Sequence, residues 1–242
     1  MPYTQNDKPI KVSLSWSGGK DSAFALWKLL RDKRYEVVSL HTTFNDETKR
    51  VGLHGTSEDL IEEQAKSIGI PLEKIFFSSS ASNDAYENAM RAFYDKIKSE
   101  GVHHVAYGDI MLQDLRDYRE EQLSKESIKG IFPLWRRSTD RIIQDFLYQG
   151  FKTIICAADG EKVELEWVGR TLDKSFLTSL PSFVDPCGEN GEYHSFCYEG
   201  PIFNNPLATK VTSVVPKSYS VKLESGKVEK RWVWFAEMEL ES

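Results

Sequence analysis

The sequence has little cysteine and no long hydrophobic run. Its 242 residues include three cysteines, and none of them forms a CxxC pair or lies at zinc-binding spacing from a histidine. We therefore expect neither a disulfide framework nor a structural metal. No apolar run approaches the roughly 20 residues that cross a bilayer, and residues 1–11 are too polar for a signal peptide. We expect a cytoplasmic protein that does not interact with membranes.

An excess of positive charge is also absent. The formal net charge of −6 at pH 7 provides no general attraction to nucleic acid, so we do not expect a nucleic-acid partner. Apolar residues make up 40% of the chain and aromatic residues 12%, which is enough for the core of one large domain or two smaller ones. The composition predicts a globular protein.

The sequence does contain a glycine-rich motif, SGGKDS, at Ser17–Ser22. It lies between a strand-like alternation of Val12, Leu14 and Trp16 and a helical pattern. Adjacent glycines let the backbone approach an anion, the first amides of a helix lack intrahelical partners, and Lys20 adds a positive charge. The spacing is not that of a P-loop. The motif resembles the signature of the PP-loop ATP pyrophosphatases, which cleave ATP between its α and β phosphates.

The alternation of strand-like and helical segments predicts the fold class. We expect an α/β fold with a doubly wound parallel sheet of five strands. The strands are predicted near residues 11–16, 36–42, 74–77, 102–107 and 151–156. Helices are predicted after the motif, from Ser57 to Gly69, from Asn83 to Gly101, and over residues 113–127 and 138–149.

After residue 157 glycine, proline and acidic residues become frequent, and this change in composition predicts two domains. Residues 1–9 are expected to be a flexible tail and residues 10–157 the ATP-binding domain. Residues 158–242 are expected to form a smaller α+β domain. Near the end of the chain, residues 218–223 and 231–240 are predicted to pair as an antiparallel hairpin around a turn at residues 224–227.

Ligands of such sheets bind beyond the carboxyl ends of the strands, so the loops after strands one, two and four should meet in one cleft. The residues expected to bind ATP are Ser15, Trp16, Ser17, Gly18, Gly19, Lys20, Asp21, Ser22, His41, Thr42 and Gly108. His41 either contacts the adenine or is packed in the core. Asp109 either binds a Mg²⁺ ion that bridges the ATP phosphates or caps a helix.

Three further groups of residues are candidates for an acceptor site. Arg50 and His54 lie in the loop after strand two, where they either reach a ligand or the second domain or belong to a solvated loop. A charged run with Arg116, Arg119 and Glu120 is either a solvated helix face or leans into the cleft. The third group is Glu189, Glu192 and His194. It either holds an ammonium ion and takes its proton or forms a hairpin with exposed acids.

Taken together, these motifs resemble the diphthine–ammonia ligase family and its bacterial relatives, one branch of the PP-loop superfamily. The matching segments are Ser17–Ser22, His41–Thr43, Arg50 with His54 and Gly55, Gly108–Ile110, Arg116 to Glu120, Pro133–Trp135, Gly169 with Arg170, and Gly188–Phe196. The last segment is the most discriminating. The resemblance implies an adenine-nucleotide hydrolase-like sheet domain followed by a smaller, family-specific domain.

The resemblance also implies a reaction. ATP adenylates a carboxylate, pyrophosphate leaves, and ammonia attacks the acyl adenylate, with ATP and Mg²⁺ as cofactors. Catalytic roles would fall to Lys20, Asp109, Glu189, Glu192 and His194, and substrate-binding roles to Arg50, His54, Arg116, Arg119 and Glu120. In eukaryotes and archaea the acceptor is diphthine on translation elongation factor two. A bacterial member would need a different acceptor.

Two alternative functions stay open at this point. One is a tRNA-modifying PP-loop enzyme, for which Cys187 and Cys197 are weak candidates for a persulfide relay. The other is a sensor that binds an adenine nucleotide without turning it over. The aromatic C-terminal hairpin, with Trp232, Trp234 and Phe235, favours a homodimer or packing against the first domain.

Overall fold

The computed structural model describes residues 8–52, 54–78, 83–222 and 228–241. Most of the predicted tail and the predicted turn at residues 224–227 lie outside this range. The strands are β1 (Ile10–Ser15), β2 (Tyr35–Asn45), β3 (Leu72–Phe77), β4 (His104–Ala106), β5 (Lys129–Ile131), β6 (Lys152–Asp159), β7 (Tyr193–Glu199), β8 (Thr209–Lys222) and β9 (Val228–Leu240). The helices are α1 (Lys20–Leu30), α2 (Glu58–Ile68), α3 (Asn83–Ser99), α4 (Gln113–Lys125), α5 (Thr139–Tyr148) and α6 (Lys174–Ser179), with a 3-10 turn at Leu165–Trp167.

Five of these strands form a parallel sheet with helices between them, which confirms the predicted α/β fold class. The strand order is β3-β2-β1-β4-β5, and each neighbouring pair is parallel. The order reverses between β1 and β4, and a crevice at the carboxyl ends of the strands is expected at such a switch point. The predicted second helix is also confirmed, since α2 ends at Gly69, whose φ of +79° suits a left-handed C-cap.

The predicted fifth strand of this sheet is wrong. The fifth strand is the three-residue β5, which pairs with β4, whereas the segment predicted at 151–156 is β6 and pairs antiparallel with β7 and β9. An apolar run that is buried on both faces has the same sequence pattern in either kind of sheet, and seven of the eight residues of β6 are buried. The predicted domain division at residue 157 stays a prediction, although β6 already lies in the second sheet.

The second sheet is antiparallel and has the strand order β7-β6-β9-β8. Its strands β8 and β9 pair over their whole length, which confirms the predicted hairpin and extends it to residues 209–222 and 228–240. Among the described helices, none has both the length and the apolar character needed to cross a bilayer.

One continuous apolar core joins the two sheets. It includes Leu14 of β1, Phe24 of α1, Phe146 of α5 and Phe196 of β7. The Phe24 ring packs edge-on against that of Phe146, with the ring centroids 6.1 Å apart. A smaller core lies under α3 and α4. Because the larger core is shared, the loops that the two sheets contribute to a common cleft are held in fixed relative positions.

Candidate active site

The glycine-rich segment forms a tight loop between β1 and α1. Gly19 is the N-cap of α1 and has no side chain to cap the helix, so the amides of the first turn can face an anion, except that of Lys20, which donates to Ser195 Oγ. Gly18 has a φ of +79°, and a Cβ atom built there would lie 2.6 Å from Gln64 Oε1. A Cβ atom on Gly108 would lie 2.9 Å from the backbone of Asp21. Glycine is therefore required at both positions by close contacts behind the loop.

Strand β7 of the second sheet holds this loop from behind. The backbone N–H of Cys197 donates to the Gly18 carbonyl over 2.8 Å, and the N–H of Lys20 donates to Ser195 Oγ over 3.1 Å. A Cβ atom on Gly19 would lie 2.9 Å from the Ser195 carbonyl oxygen. The second sheet therefore contributes directly to the geometry of the loop.

A cleft of about 650 Å³ opens between the loop, the end of β4 and residues 188–195. The predicted site residues that line it are Ser15, Ser17, Lys20, Asp21, Ser22, His54, Gly108, Asp109, Arg119, Glu189 and His194. The structure therefore brings residues from the phosphate loop and from the predicted acceptor site into one cavity, as expected for strand ends that meet at a switch point.

Lys20 supplies a permanent positive charge on the loop side. Its side chain is buried, its Nζ donates to Asp21 Oδ2 over 2.7 Å, and it lies 5.2 Å from the centroid of the Tyr193 ring. Burial alone would lower the pKa of Lys20, but the adjacent Asp21 carboxylate raises it above its usual value. The ammonium group is therefore charged near pH 7.

Two carboxylate oxygens in the cleft are buried without a hydrogen-bond partner among the described residues. They are Asp21 Oδ1 and Asp109 Oδ2. The second of them lies 3.1 Å from Arg119 Nε, an ion pair that lacks hydrogen-bond geometry. The Arg119 guanidinium also lies 4.0 Å above the Tyr107 ring. Buried unpaired oxygens of this kind are costly unless a ligand satisfies them.

The opposite wall carries titratable groups. Glu189 accepts a long hydrogen bond of 3.4 Å from the Met111 N–H, and burial, together with the nearby Asp21 carboxylate, raises the pKa of Glu189 to about 7. The rings of His54 and His194 pack with centroids 4.6 Å apart. Burial lowers the pKa of His54 to about 4 and that of His194 well below its usual value. Both imidazoles are therefore neutral near pH 7.

A second, smaller cavity of about 210 Å³ adjoins the cleft. It lies between α3 and α4, and four tyrosines line it: Tyr86, Tyr94, Tyr107 and Tyr118. Ser15 and Arg119 line both cavities, so they lie where the two meet. We call the smaller cavity the tyrosine pocket.

Three predicted nucleotide-binding residues are packed at the strand ends. His41 lines the tyrosine pocket, but its Nδ1 lies 2.9 Å from Ser13 Oγ, and burial lowers its pKa to about 3. Thr42 is buried and donates from Oγ1 to the Trp16 carbonyl over 2.6 Å. Trp16 is buried too and donates from Nε1 to Gln64 Oε1. Thr42 and Trp16 therefore line neither cavity and support the loop from below.

Three predicted substrate-binding residues lie away from the cleft. Arg50 forms an ion pair of 2.5 Å with Glu237 and donates to the Gly55 carbonyl, so it links the loop after β2 to the second sheet. Arg116 stacks between aromatic rings on the outside of the fold and pairs with the exposed Glu120 over 2.7 Å. The expectation that these side chains reach the acceptor is therefore not met in this arrangement, because each is committed to another partner.

Glu192 also lies outside the cleft, contrary to its expected catalytic place. Its Oε2 accepts from the Asn190 N–H over 2.8 Å and its Oε1 accepts from the Asn190 side chain over 3.0 Å and from the Asp185 N–H over 3.3 Å. Burial would raise the pKa of Glu192, but these hydrogen bonds lower it. Gly191, with a φ of +76°, turns the chain between Glu189, which lines the cleft, and Glu192, which does not.

Sequence reasoning missed one residue of this region, Gln64, which contacts the loop from α2. It follows two glutamates in a polar helix, and a single amide in such a context gives no signal. Ser195 was within a recognised motif, but its contact with Lys20 could not be foreseen, because it depends on how the second sheet packs against the first.

The three cysteines are all buried and free. Burial raises the pKa of Cys156 to about 12 and raises the pKa values of Cys187 and Cys197 as well. Such thiols are weak nucleophiles. Within the described parts of the chain, no cluster of three or more His, Cys, Asp or Glu side chains is placed to hold a metal ion.

The sheet order and the glycine-rich loop at the end of β1 define an α/β protein with a ligand cleft at the carboxyl edge of its parallel sheet. Family models match almost the whole chain: the diphthamide synthase N-terminal domain over residues 10–129 and the diphthamide synthase C-terminal domain over residues 138–235. The chain belongs to the diphthamide synthase family.

Curated relatives are named diphthine–ammonia ligase. The protein from Schizosaccharomyces pombe is 25% identical over 228 residues, which cover 86% of this chain and 38% of that protein. The proteins from Bos taurus and Homo sapiens are 23% and 22% identical, and the alignments cover 86% and 85% of this chain and the same shares of those proteins. Among solved structures, the U34-tRNA thiolase of Methanococcus maripaludis aligns with a TM-score of 0.36 at 18% identity, covering 59% of this chain and 58% of that chain.

Proposed function

We propose that the protein is an ATP-dependent ligase that adenylates a carboxylate, releases pyrophosphate and then forms an amide with ammonia. The observation that carries this proposal is the pairing of two unlike walls in one cleft. One wall is a phosphate loop with the charged Lys20, and the other holds Glu189 and two neutral histidines. A protein that only bound a nucleotide would have no need of the second wall.

The two adjoining cavities suggest how ATP lies. The tyrosine pocket offers aromatic rings on which the adenine can stack, and the loop amides with Lys20 suit the β and γ phosphates. Arg119 lines both cavities, so the α phosphate would lie beside it. In this orientation the α phosphate faces the acceptor wall, and pyrophosphate is the leaving group that the loop retains and neutralises.

The carboxylates of the cleft fit a Mg²⁺ ion that arrives with ATP. Such an ion takes one or two protein carboxylates together with phosphate oxygens and waters, and it neutralises negative charge on the phosphates. Asp21 and Asp109 each have a buried oxygen without a hydrogen-bond partner among the described residues, and both side chains line the cleft. We propose these two residues as its protein ligands.

The acceptor wall supplies the proton chemistry. Ammonium enters the cleft and gives one proton to Glu189, and the resulting ammonia attacks the acyl carbon. As the bond to AMP breaks, the nitrogen loses its second proton to water, which leaves the neutral amide. The neutral imidazoles of His54 and His194 can accept a hydrogen bond from ammonia without repelling it. The relatives' name indicates diphthine as the acceptor, and we extend that substrate to this chain. A homodimer stays a prediction.

The proposal is tested by the products. The protein is incubated with ATP, Mg²⁺, ammonium and elongation factor two that carries diphthine, and nucleotides and acceptor mass are measured. We expect AMP and pyrophosphate in equal amounts. The acceptor should carry a carboxamide in place of its carboxylate. Formation of ADP would contradict the proposed cleavage of ATP between its α and β phosphates. Binding of ATP with no turnover would indicate a nucleotide sensor, and turnover with an unmodified factor would indicate a different acceptor.

A further inference from the structure

Gln64 lies on α2 directly beneath the phosphate loop and is completely buried. Both ends of its amide are used. Nε2 donates to the Gly18 carbonyl over 2.9 Å and to the Cys197 carbonyl over 2.6 Å, and Oε1 accepts from Trp16 Nε1 over 2.9 Å. One side chain therefore joins the end of β1, the loop and β7.

These hydrogen bonds fix the direction of the peptide between the two glycines. The Gly18 carbonyl is held by Gln64 Nε2 and by the Cys197 N–H. In a trans peptide the N–H points away from the carbonyl, so the N–H of Gly19 is directed toward Ser17 Oγ, 3.3 Å away on the cleft side. A Gly-Gly peptide has little steric resistance to flipping, and a flipped peptide would present an oxygen to the phosphates.

We propose that Gln64 is a positioning residue that keeps the Gly18–Gly19 peptide with its N–H facing the nucleotide and couples that peptide to β7. This inference rests on the proposed function only in that ATP occupies the loop. The position demands two donors and one acceptor on a side chain of this length. Glutamate lacks the donors, methionine lacks all three groups, and asparagine is one methylene too short.

The test compares Gln64→Met and Gln64→Glu with a matched control, Ser67→Ala. Ser67 is on the same helix, and its Oγ donates to the Asn205 carbonyl over 2.6 Å, so it also links α2 to the second half of the chain but not to the loop. ATP affinity is measured by calorimetry, KM for ATP and for ammonium by AMP release, and folding by thermal unfolding of the full chain.

We expect Gln64→Met to bind ATP about tenfold more weakly, because the Gly18 and Cys197 carbonyls lose a buried donor. Gln64→Glu should bind ATP more weakly still, since its carboxylate faces both carbonyl oxygens. In both variants KM for ammonium should stay at the wild-type value, because the acceptor wall is untouched. Ser67→Ala should match the wild type in ATP affinity.

Three outcomes would overturn the proposal. Gln64→Met could bind ATP as tightly as Ser67→Ala, its ATP and ammonium KM values could rise together, or the loss of ATP binding could follow the unfolded fraction alone. If neither Gln64 variant folds, Trp16→Phe decides: it keeps an aromatic ring in the core but removes the donor to Gln64 Oε1, and an unchanged KM for ATP would refute the positioning role. A wild-type protein that did not bind ATP would refute the proposed function instead.

Discussion

The two walls of the cleft differ in how they carry charge. On the loop side the charge is fixed: backbone amides at the start of α1 and an ammonium group whose pKa is raised by Asp21. On the side of residues 188–195 the groups are poised near neutrality, with a carboxyl whose pKa is about 7 and two imidazoles that have lost their charge. Burial acts on both walls, since it disfavours the charged form of Lys20 as well as those of Glu189 and the two histidines, so burial alone does not account for the difference.

The cause is the presence or absence of a partner. Lys20 has a carboxylate 2.7 Å away, which offsets the cost of burying a charge, whereas Glu189 is hydrogen-bonded only by backbone amides at long distance and lies near the like charge of Asp21. The comparison teaches that one cleft can keep its phosphate-binding charge across the pH range around 7 in which the protonation of Glu189 changes. The following variants test this division, from the largest expected effect to the smallest.

Lys20→Met should slow ATP cleavage about 1000-fold, because the charge that stabilises departing pyrophosphate is lost. AMP release measures it. Since the variant leaves Asp21 unpaired, thermal unfolding of the same variant is measured to separate catalysis from folding. Lys28→Met, at the other end of α1, is the matched control. If a folded Lys20→Met protein cleaved ATP rapidly, the charge of Lys20 would not be needed for the release of pyrophosphate.

Glu189→Gln should slow amide formation about 100-fold by removing the general base. In the wild type the rate should rise as pH passes through about 7, since Glu189 must lose its proton to act as a base. The variant should lack this rise, while ATP–pyrophosphate exchange continues at the wild-type rate. An unchanged pH profile in Glu189→Gln would assign the base to another group.

The same substitution has a second, independent readout in stability. The pKa of Glu189 is about 7 in the folded chain against 4.5 for the ordinary carboxyl, so the folded state binds the proton more tightly. Wild-type stability should therefore fall as pH rises from about 4.5 to about 7, and Glu189→Gln should lack this decrease. Denaturant unfolding at pH 5 and pH 8 measures it. Equal pH dependence in both proteins would contradict the burial of this carboxyl.

Arg119→Gln should raise KM for ATP about tenfold, because a charge-assisted contact to phosphate is lost where the two cavities meet. Arg116→Gln, one turn earlier on α4, should leave KM for ATP unchanged, since its guanidinium packs against Phe132 and Trp135 outside both cavities. Steady-state kinetics with varied ATP separates them. If both variants raised KM for ATP equally, the effect would come from a disturbance of α4 and not from a contact of Arg119 with phosphate.

Glu192→Gln should affect stability more than activity. The amide group would oppose N–H donors at Asn190 and Asp185, at a cost of roughly 1–3 kcal/mol in the free energy of unfolding. Because the pKa of Glu192 is lowered, the wild-type advantage is present above the unfolded value and is lost as pH falls. Denaturation at pH 7 and pH 3 measures this. If Glu192→Gln greatly slowed amide formation at an unchanged free energy of unfolding, Glu192 would act in the cleft and this prediction would be wrong.

The parts of this site that could be predicted from the sequence are those with a local cause. The loop at Ser17–Ser22 was predictable because six consecutive residues contain both the adjacent glycines that a tight loop requires and the start of a helix. The place of Asp109 in the cleft was predictable because it follows a buried strand and a glycine. A short acidic motif predicted that Glu189 and Glu192 both line the cleft. The turn at Gly191 separates them, and only Glu189 lies there.

The parts that failed depend on distant packing. Strand β5 has three residues with a glycine in the middle, so it carries no pattern of its own, while the apolar β6 fits either kind of sheet. Arg50 and Arg116 were ambiguous because a charged side chain in a loop or on a helix can turn toward several partners. Gln64 acquires its role from three groups that are 46, 48 and 133 residues away in the chain.

The hydrogen bond from Cys197 to the Gly18 carbonyl has a consequence for synthesis of the protein. Residues 17–22 leave the ribosome early, but the strand that holds their backbone follows about 170 residues later, at translation rates that correspond to roughly 10–30 s. During that interval the nascent loop lacks its brace. The growing chain should therefore acquire affinity for ATP only after β7 has emerged, and stalled nascent chains that end before and after this strand should differ in nucleotide binding.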